Sequence, residues 1–358
     1  MPNHEIYMRR CLELAQLGLG TVSPNPMVGA LVVHNNKIIG EGWHRKYGAA
    51  HAEPNAIADV FNRYPNAADL LRASTVYVSL EPCSHQGKTP PCADLLIKHQ
   101  VKKVVIACRD PFEQVNGRGI RKLQEAGIEV IEGVCQEEAA FVNRRFFTRV
   151  QKQRPYVLLK WAQTANGYFA PTDHTQRWIT GPLAQRLSHQ WRSQEDAILV
   201  GANTALIDNP QLTVRHWQGK NPKRIVIDKT LSLPQHLHLF DQTVDTIVFN
   251  AEKSEWQENL KYIALENFDL YLPQQLLYQL HLMDIQSLVV EGGVKTLRLF
   301  IDAGLWDEAR VFEGDVYWED GIEAPRLPMP PETKQQVGKD LWTTYFNQDA
   351  FSTFKRFV

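Results

Sequence analysis

The sequence predicts a two-domain α/β protein, and three observations carry that expectation. At 358 residues the chain exceeds the size at which one hydrophobic core usually stops growing. Short apolar runs alternate with stripes of helical period through both halves, the pattern of α/β folds. Between the halves, Arg144 to Pro155 (RRFFTRVQKQRP) is a basic, polar stretch closed by a proline. It reads as a solvated linker before it reads as an anion site. The expected domains are therefore 1–148 and 149–358.

The first half opens with Met8, Cys11, Leu12 and Ala15 at helical spacing over Glu5 to Leu17. SPNPMVGA (Ser23 to Ala30) breaks that helix and leads into a strand, Ala30 to Val33. A turn at Asn35-Asn36 returns Lys37 to Gly42 as a second strand. A helix follows His51 with Ala56, Ile57, Val60 and Phe61 inward, running to about Arg63. Thr75 to Leu80 reads as a strand that delivers Glu81-Pro82-Cys83 at its end. Cys92 opens a helix with Leu95, Leu96 and Ile97 apolar, then come a strand (Lys102 to Ala107) and a helix around Ile120 to Ala126. An α/β/α sandwich is the result.

The second half starts afresh with a strand from Tyr156 to Trp161 and a turn at Asn166-Gly167. A helix carrying Leu183, Leu187 and Trp191 follows WITGP. Strands recur at Ala197 to Val200, Arg224 to Ile227, Thr246 to Phe249 and Ser287 to Val290. The last runs into Glu291-Gly292-Gly293 and a helix from Val294 to Phe300.

Composition narrows the function classes. Hydrophobic content of 44% and charged content of 22% are ordinary for a globular protein. A net charge of -1 gives no global field toward nucleic acid or an acidic membrane. The five cysteines (11, 83, 92, 108, 135) show no disulfide-framework spacing and suit a reducing compartment. The N-terminal residues lack the apolar region of a signal peptide, and no apolar run reaches ~18 residues. The expectation is a cytoplasmic protein with small-molecule partners, no nucleic acid and no membrane.

The chemistry concentrates in Ser79 to Cys92 (SLEPCSHQGKTPPC) and His51-Ala52-Glu53 upstream. Two thiolates, Cys83 and Cys92, and the imidazole of His51 would leave the fourth tetrahedral position of a zinc ion to water, the arrangement of catalytic zinc. Glu53 is the expected non-ligand acid/base, taking a proton from that water and passing it to a leaving amine. The His-x-Glu and Pro-Cys pieces follow the zinc-deaminase signature, but the second cysteine falls nine residues after the first instead of three. Singly, such residues are usually just packed. Pro54 biases Glu53 away from helical backbone, which would disturb the proton shuttle.

In the second half, glycines between a strand and a helix N-terminus suit a bound anion. The absence of GxGxxG disfavours a Rossmann fold. The turn Asp208-Asn209-Pro210, flanked by Thr204 and Arg215 beside a strand end, fits a nucleotide pocket.

SPNPMVGA, HAE, LEPCSHQGKTPPC and GRG ahead of LQEAGIEV mark the first half; WITGP, DAILVG, DNPQLTVR and VVEGG mark the second. On these motifs the chain resembles the bifunctional deaminase/reductase family of riboflavin biosynthesis over essentially its whole length. The long cysteine spacing is that family's own. The resemblance implies a cytidine-deaminase-like domain followed by a dihydrofolate-reductase-like domain. It implies hydrolytic loss of the 2-amino group of 2,5-diamino-6-(ribosylamino)-4(3H)-pyrimidinone 5'-phosphate. NADPH reduction of the ribosyl group of 5-amino-6-(5-phosphoribosylamino)uracil to ribityl would follow.

Carried residue by residue, the resemblance implies one zinc per chain on His51, Cys83 and Cys92, with Glu53 as acid/base. Asn25, His44, Lys88 and Thr89 would hold the pyrimidine. Lys160 and Asp208 would stand beside hydride transfer. Ala162, Trp178, Thr204, Asp208 and the turn Gly293, Val294, Lys295, Thr296, Leu297, Arg298 and Leu299 would hold NADPH. Gln176, Arg192, Leu212, Arg215 and Glu291 would hold the reductase substrate, the arginines by bidentate contact with its 5'-phosphate. The reductase halves of the family commonly pair, so a homodimer is expected.

The chain departs from the family at Asn166, usually Asp, at Gln176, commonly Ser, and beyond Glu313, where the glycine-rich ending is lost. Two other readings compete. One is a zinc deaminase of another nucleotide or of RNA, which should show a basic patch with interleaved aromatics. The other is a non-catalytic regulator that binds pyrimidine nucleotides.

Overall fold

A computed structural model describes residues 3–84, 90–112, 115–173 and 175–347. They fall into two units that divide between Lys152 and Gln153, inside the basic stretch singled out above.

In the first unit the elements run α1 (His4–Gln16), β1 (Gly29–His34), β2 (Lys37–Trp43), α2 (Ala52–Arg63), α3 (Ala67–Arg72) and β3 (Thr75–Val78). They continue with α4 (Cys92–Lys98), β4 (Lys103–Ile106), α5 (Arg118–Glu125), β5 (Glu129–Glu132), α6 (Gln136–Val142) and α7 (Arg144–Lys152). The five strands lie in the order β2-β1-β3-β4-β5. β1 is antiparallel to both neighbours, and β3, β4 and β5 are parallel. Successive side chains of a strand leave opposite faces. Leu31 and Val33 meet α1, α6 and α7 on one face, while Ala30 and Val32 meet α2, α3, α4 and α5 on the other. The expected α/β/α sandwich is present.

Helix α2 lies unusually close to β2. A Cβ at Gly42 would stand 2.3 Å from the Ala56 nitrogen, and one at Gly40 2.5 Å from the Ala56 oxygen. Only glycine permits that approach, and it sets the height of the helix start that carries His51 and Glu53.

Three local expectations are corrected. The strand from Thr75 ends at Val78, so Glu81 to Cys83 are loop. Phe61 is 48% exposed, against the ring of His99, because the buried face of α2 is Ala52, Glu53, Ala56, Ile57 and Val60. Residues 144–152 are helix, not linker, with Arg145, Phe146, Phe147 and Thr148 buried. Net composition hid a two-faced helix, whose charges gather on one side and whose phenylalanines enter the core.

The second unit runs β6 (Tyr156–Thr164), β7 (Tyr168–Ala170), α8 (Pro182–Gln194), β8 (Ala197–Gly201), α9 (Ala202–Asp208), β9 (Lys223–Ile227), β10 (Thr246–Asn250), β11 (Glu255–Trp256) and β12 (Leu260–Ala264). It ends with α10 (Leu272–Leu282), β13 (Ser287–Val290), α11 (Val294–Asp302), β14 (Glu308–Gly314), β15 (Ile322–Glu323), β16 (Thr333–Val337) and β17 (Asp340–Phe346). The main sheet has the order β11-β12-β10-β9-β8-β13-β6-β14-β17-β16, parallel from β12 to β14 and antiparallel at both ends. β13 sits between β6 and β8, so the chain leaves β6 in both directions across the sheet. Ligands of open α/β sheets bind beyond the strand carboxyl ends at such a switch point. Beyond Glu313 the sequence makes the β16-β17 hairpin that closes one sheet edge.

Leu183, expected within the apolar stripe of its helix, is 56% exposed at the first turn of α8. The departure at Asn166 keeps its turn: Gly167 has φ +87°, and the Asn166 side-chain amide donates to the Trp318 carbonyl at 2.7 Å. An aspartate could not make that bond.

Burial of Phe147 in a core shared with α1 gives a direct check on the α7 correction. Phe147→Ala is expected to destabilise the first unit by about 3–5 kcal/mol in denaturant titrations. A linker position would show about 0.5 kcal/mol or less.

Candidate active sites

His51 caps the start of α2 with extended backbone, and Glu53 stands in the first helical turn. Pro54 is accommodated because amides of the first turn lack an intrahelical acceptor in any case. Its bias on Glu53 is overridden, and Glu53 is helical and only 3% exposed. Cys92 opens α4, and Cys83 lies in the loop after β3.

The Nδ1 of His51 is 3.4 Å from the Cys92 Sγ and 3.7 Å from the Cys83 Sγ, and the three donor atoms lie within 4.8 Å of one another. A tetrahedral zinc with ordinary bond lengths places its nitrogen and sulfur ligands ~3.6 Å apart. One imidazole and two thiols at these separations fit zinc. The Cys92 backbone N–H donates to the Cys83 Sγ at 3.3 Å. Hydrogen bonding from the Cys92 side chain, then from His51 and the Cys92 amide, pulls the Cys83 thiol down to about 4. Burial and the charge of Cys83 lift Glu53 to about 7.

His44 is buried beside this triad, its ring edge-on to that of His51 at 5.2 Å. Its Nδ1 reaches the Ala50 carbonyl at 3.1 Å and its Nε2 the Asn25 Nδ2 at 3.1 Å. A carbonyl only accepts, so Nδ1 carries the proton and Nε2 accepts from Asn25. Burial holds the ring below its ordinary pKa, in keeping with this neutral form.

Asn25, His44, His51, Glu53, Phe112 and Arg149 line one cavity of about 330 Å³. The structure thus gathers every described deaminase residue expected from the sequence. Lys88 and Thr89 lie outside the described residues. Arg149 was missed because its stretch read as linker.

Glu81 was missed as well. Its carboxylate accepts the backbone N–H groups of Gly117 (2.9 Å), Gly119 (3.0 Å), Asp110 (3.3 Å) and Ile120 (3.4 Å). Gly117 has φ +75°, and a Cβ on Gly119 would stand 2.0 Å from the Pro82 oxygen. The GRG and LEPC motifs are therefore two halves of one clamp that holds the loop bearing Cys83. Their pairing is invisible in sequence.

In the second unit, Val290 pairs with Leu159 across β13 and β6, which sets Glu291 beside Lys160. Glu291 accepts two bonds from Arg192, at 2.8 and 2.6 Å, and lies 3.9 Å from the Lys160 Nζ. Burial pushes this carboxyl up, but the charges of Arg192 and Lys160 and the Arg192 hydrogen bonds outweigh it and leave it at about 2. Burial in turn lowers Lys160. Leu212 is buried with φ +55°, and the Arg215 Nη1 donates to the Thr213 Oγ1 at 3.2 Å.

Gly293 caps α11 with φ +70°. Added Cβ atoms at Gly201 and Gly292 would stand 2.4 Å from the Thr296 Oγ1 and 2.8 Å from Val200, and one at Gly293 3.2 Å from the Thr204 Oγ1. Glycines and threonines thus form a bare backbone cradle at the strand ends, fit for a dinucleotide phosphate. Val294 and Leu299 are half-buried on α11, Lys295 and Arg298 face outward, and Leu297 is wholly in the core. Only backbone of that last residue could meet a coenzyme. Ala162 packs against Trp191 and Phe312, Asp208 ends α9, and Gln176 and Trp178 are exposed.

The sequence matches the cytidine and deoxycytidylate deaminase zinc-binding region over residues 1–108 and the RibD C-terminal domain over 155–314. It is 40% identical to the riboflavin biosynthesis protein RibD of Aquifex aeolicus, covering 98% of each chain. The chain belongs to the RibD family. The RibD of Escherichia coli is 36% identical over 86% of each chain. A Thermotoga maritima structure described as a diaminohydroxyphosphoribosylaminopyrimidine deaminase/5-amino-6-(5-phosphoribosylamino)uracil reductase superposes with a TM-score of 0.85 at 37% identity, covering 95% of this chain and 97% of that one. The RibD of Acinetobacter baumannii gives a TM-score of 0.85 at 30% identity. This chain is accordingly a bifunctional riboflavin-biosynthesis enzyme, with a zinc-binding deaminase domain and a reductase domain that uses a nicotinamide coenzyme. Among the described residues no helix is long and apolar enough to cross a membrane.

Glu81→Ala is expected to weaken zinc binding about 10- to 100-fold in chelator competition, the usual loss when a residue supporting metal ligands is removed. An unchanged affinity would show that the clamp does not hold Cys83. Glu291 titrates in the fold at about 2 instead of 4.5, so its stabilisation is complete above pH 4.5 and lost as pH falls toward 2. Acid titrations of Glu291→Gln should lack that step in the second unit.

Proposed function

We propose that the two units act in succession on one intermediate. The first hydrolyses the 2-amino group of 2,5-diamino-6-(ribosylamino)-4(3H)-pyrimidinone 5'-phosphate, so that water and the amine become a ring carbonyl and ammonia. One zinc per chain would be held by His51, Cys83 and Cys92, and when bound it supplies an activated water at neutral pH. Glu53 would hold the proton of the attacking water and pass it to the departing nitrogen, a task suited to a buried carboxyl raised to about 7. Asn25 and His44 orient the pyrimidine, and Lys88 and Thr89 extend that contact. The observation that carries this reading is the buried Glu53 sharing a cavity with His51 and Cys83, which with Cys92 form a correctly spaced set of zinc donors.

The second unit would reduce the ribosyl group of the deaminated product to ribityl, and NADPH, when bound, would supply the hydride for C1'. The glycine cradle and its neighbours Thr204 and Thr296 receive the coenzyme phosphates, with Ala162, Trp178 and Asp208 along its length. Lys160 and Asp208 stand beside the transfer. Arg192 and Arg215 take the substrate 5'-phosphate, with Gln176, Leu212 and Glu291 lining the rest. Lys160, Arg192 and Arg215 set three positive charges against the one carboxylate of Glu291, which suits a dianionic phosphate. Five free cysteines fit the reducing interior of a cell, and pairing of reductase units into a homodimer completes the reading. A deaminase of RNA or a non-catalytic binder finds no support in this arrangement.

Glu53→Gln separates the two steps. The variant is expected to keep its zinc while ammonia release falls about 10²- to 10⁴-fold, and to oxidise NADPH at the wild-type rate when given the deaminated substrate. Ammonia release undiminished by the change would contradict the role of Glu53.

A further inference from the structure

We infer that His189 is a positioning residue of the reductase site, holding Arg215 in place for the substrate's anionic group through a hydrogen bond to the Arg215 backbone. The inference rests on the reading of Arg215 as a phosphate ligand, and it concerns a residue to which no part in that reading is given.

His189 lies on α8 three residues before Arg192 and is 5% exposed. Residues three apart share a helix face, so His189 and Arg192 look toward the same loop. The Arg215 N–H donates to the His189 Nδ1 at 3.1 Å. A ring nitrogen that accepts is unprotonated, so the ring is the neutral tautomer with its proton on Nε2. Burial, followed by the charges of Arg192, Arg215 and His216, holds its pKa down to about 4. His189 therefore contributes no charge near neutral pH. Its contribution is an acceptor in a fixed place, braced by the His216 ring packed edge-on at 4.8 Å.

The loop needs such a tie. Between α9 and β9 it carries Asn209 at φ +38° and Leu212 at φ +55°. Asparagine tolerates the left-handed region, but a branched leucine there persists only where surroundings impose it. The contacts that impose this path include the His238 N–H to the Asn209 Oδ1 at 2.8 Å, the Arg215 N–H to His189, the Val214 N–H to the Asn221 Oδ1 at 2.8 Å, and the Arg192 Nη1 to the Thr213 carbonyl at 3.5 Å. The bond to His189 fixes the Arg215 backbone, while the Arg215 Nη1 donates to the Thr213 Oγ1 at 3.2 Å. Arg215 is exposed at the rim of the site, beside the like charge of Arg192, where an anion would relieve the repulsion between the two guanidinium groups. The His189 acceptor sets the backbone from which that side chain reaches the site.

Two substitutions separate the acceptor from the bulk of the ring. Asparagine can set its Oδ1 near the position of Nδ1, whereas the amide of glutamine reaches the position of Nε2. Steady-state reduction of the deaminated substrate by NADPH would be measured for wild type, His189→Asn, His189→Gln, Arg215→Ala and the His189→Gln/Arg215→Ala double variant. His189→Gln is expected to raise KM for the substrate about tenfold with kcat within about twofold, the signature of lost ground-state binding. His189→Asn should restore most of that loss. In the Arg215→Ala background, His189→Gln should add nothing, because the two residues act as one unit. Equal losses for Asn and Gln, a full further loss in the double variant, or a fall in kcat at constant KM would each overturn the inference. A KM unchanged by Arg215→Ala would instead overturn the phosphate reading beneath it. A raised KM in Arg215→Ala with His189→Gln at the wild-type value would overturn the inference alone.

Discussion

The carboxylate of Glu81, buried among four backbone N–H groups, is the contact on which the deaminase site depends. The three zinc donors come from the start of α2, a loop and the start of α4, and nothing in the sheet itself makes them converge. Glycines at 40 and 42 fix α2 against β2, and the Cys92 amide ties α4 to Cys83. The loop from Val78 to Cys83 is held by Glu81, whose carboxylate accepts from the backbone N–H groups of residues 110, 117, 119 and 120 and whose own N–H donates to the Cys108 carbonyl. Gly119 permits this because any side chain there would meet Pro82.

The two units put the same side chain to opposite use. Glu53 and Glu291 are both withdrawn from water, which penalises the charged form of each. Glu53 faces thiol sulfurs and is lifted to about 7, where it can exchange a proton in a neutral solution. Glu291 faces Arg192 and Lys160 and drops to about 2, where it stays ionised and organises cations. Burial by itself raises both carboxyls, and only at Glu291 do neighbouring cations outweigh it.

Much of this was legible in the sequence because its chemistry is local. His-Ala-Glu and Pro-Cys name residues that converge on one cluster, and the strand-glycine-helix run at 287–300 names the bare backbone at the strand ends. Long-range pairings were not legible. The match of Glu81 to Gly117 and Gly119, and of His189 to Arg215, joins residues whose separation says nothing of contact. The basic stretch 144–152 misled for another reason: counting charges cannot show that Phe146 and Phe147 share the inner face of a helix. Pro54 and Asn166 mark the opposite case. Each broke a local rule or family pattern, and tertiary context absorbed both, one in a first helical turn and the other through a bond to Trp318.

The arrangement of His51, Cys83 and Cys92 calls for an open metal site, with three protein donors and one position left for water beside Glu53. A crystal structure of the zinc-loaded protein, with anomalous differences recorded across the zinc edge, tests it most directly. The account requires one zinc peak among the His51 Nδ1 and the Cys83 and Cys92 Sγ atoms. A solvent oxygen should complete the coordination within ~2.6–3.2 Å of the Glu53 carboxylate. A fourth protein side chain on the metal, or zinc bound elsewhere in the chain, would contradict it.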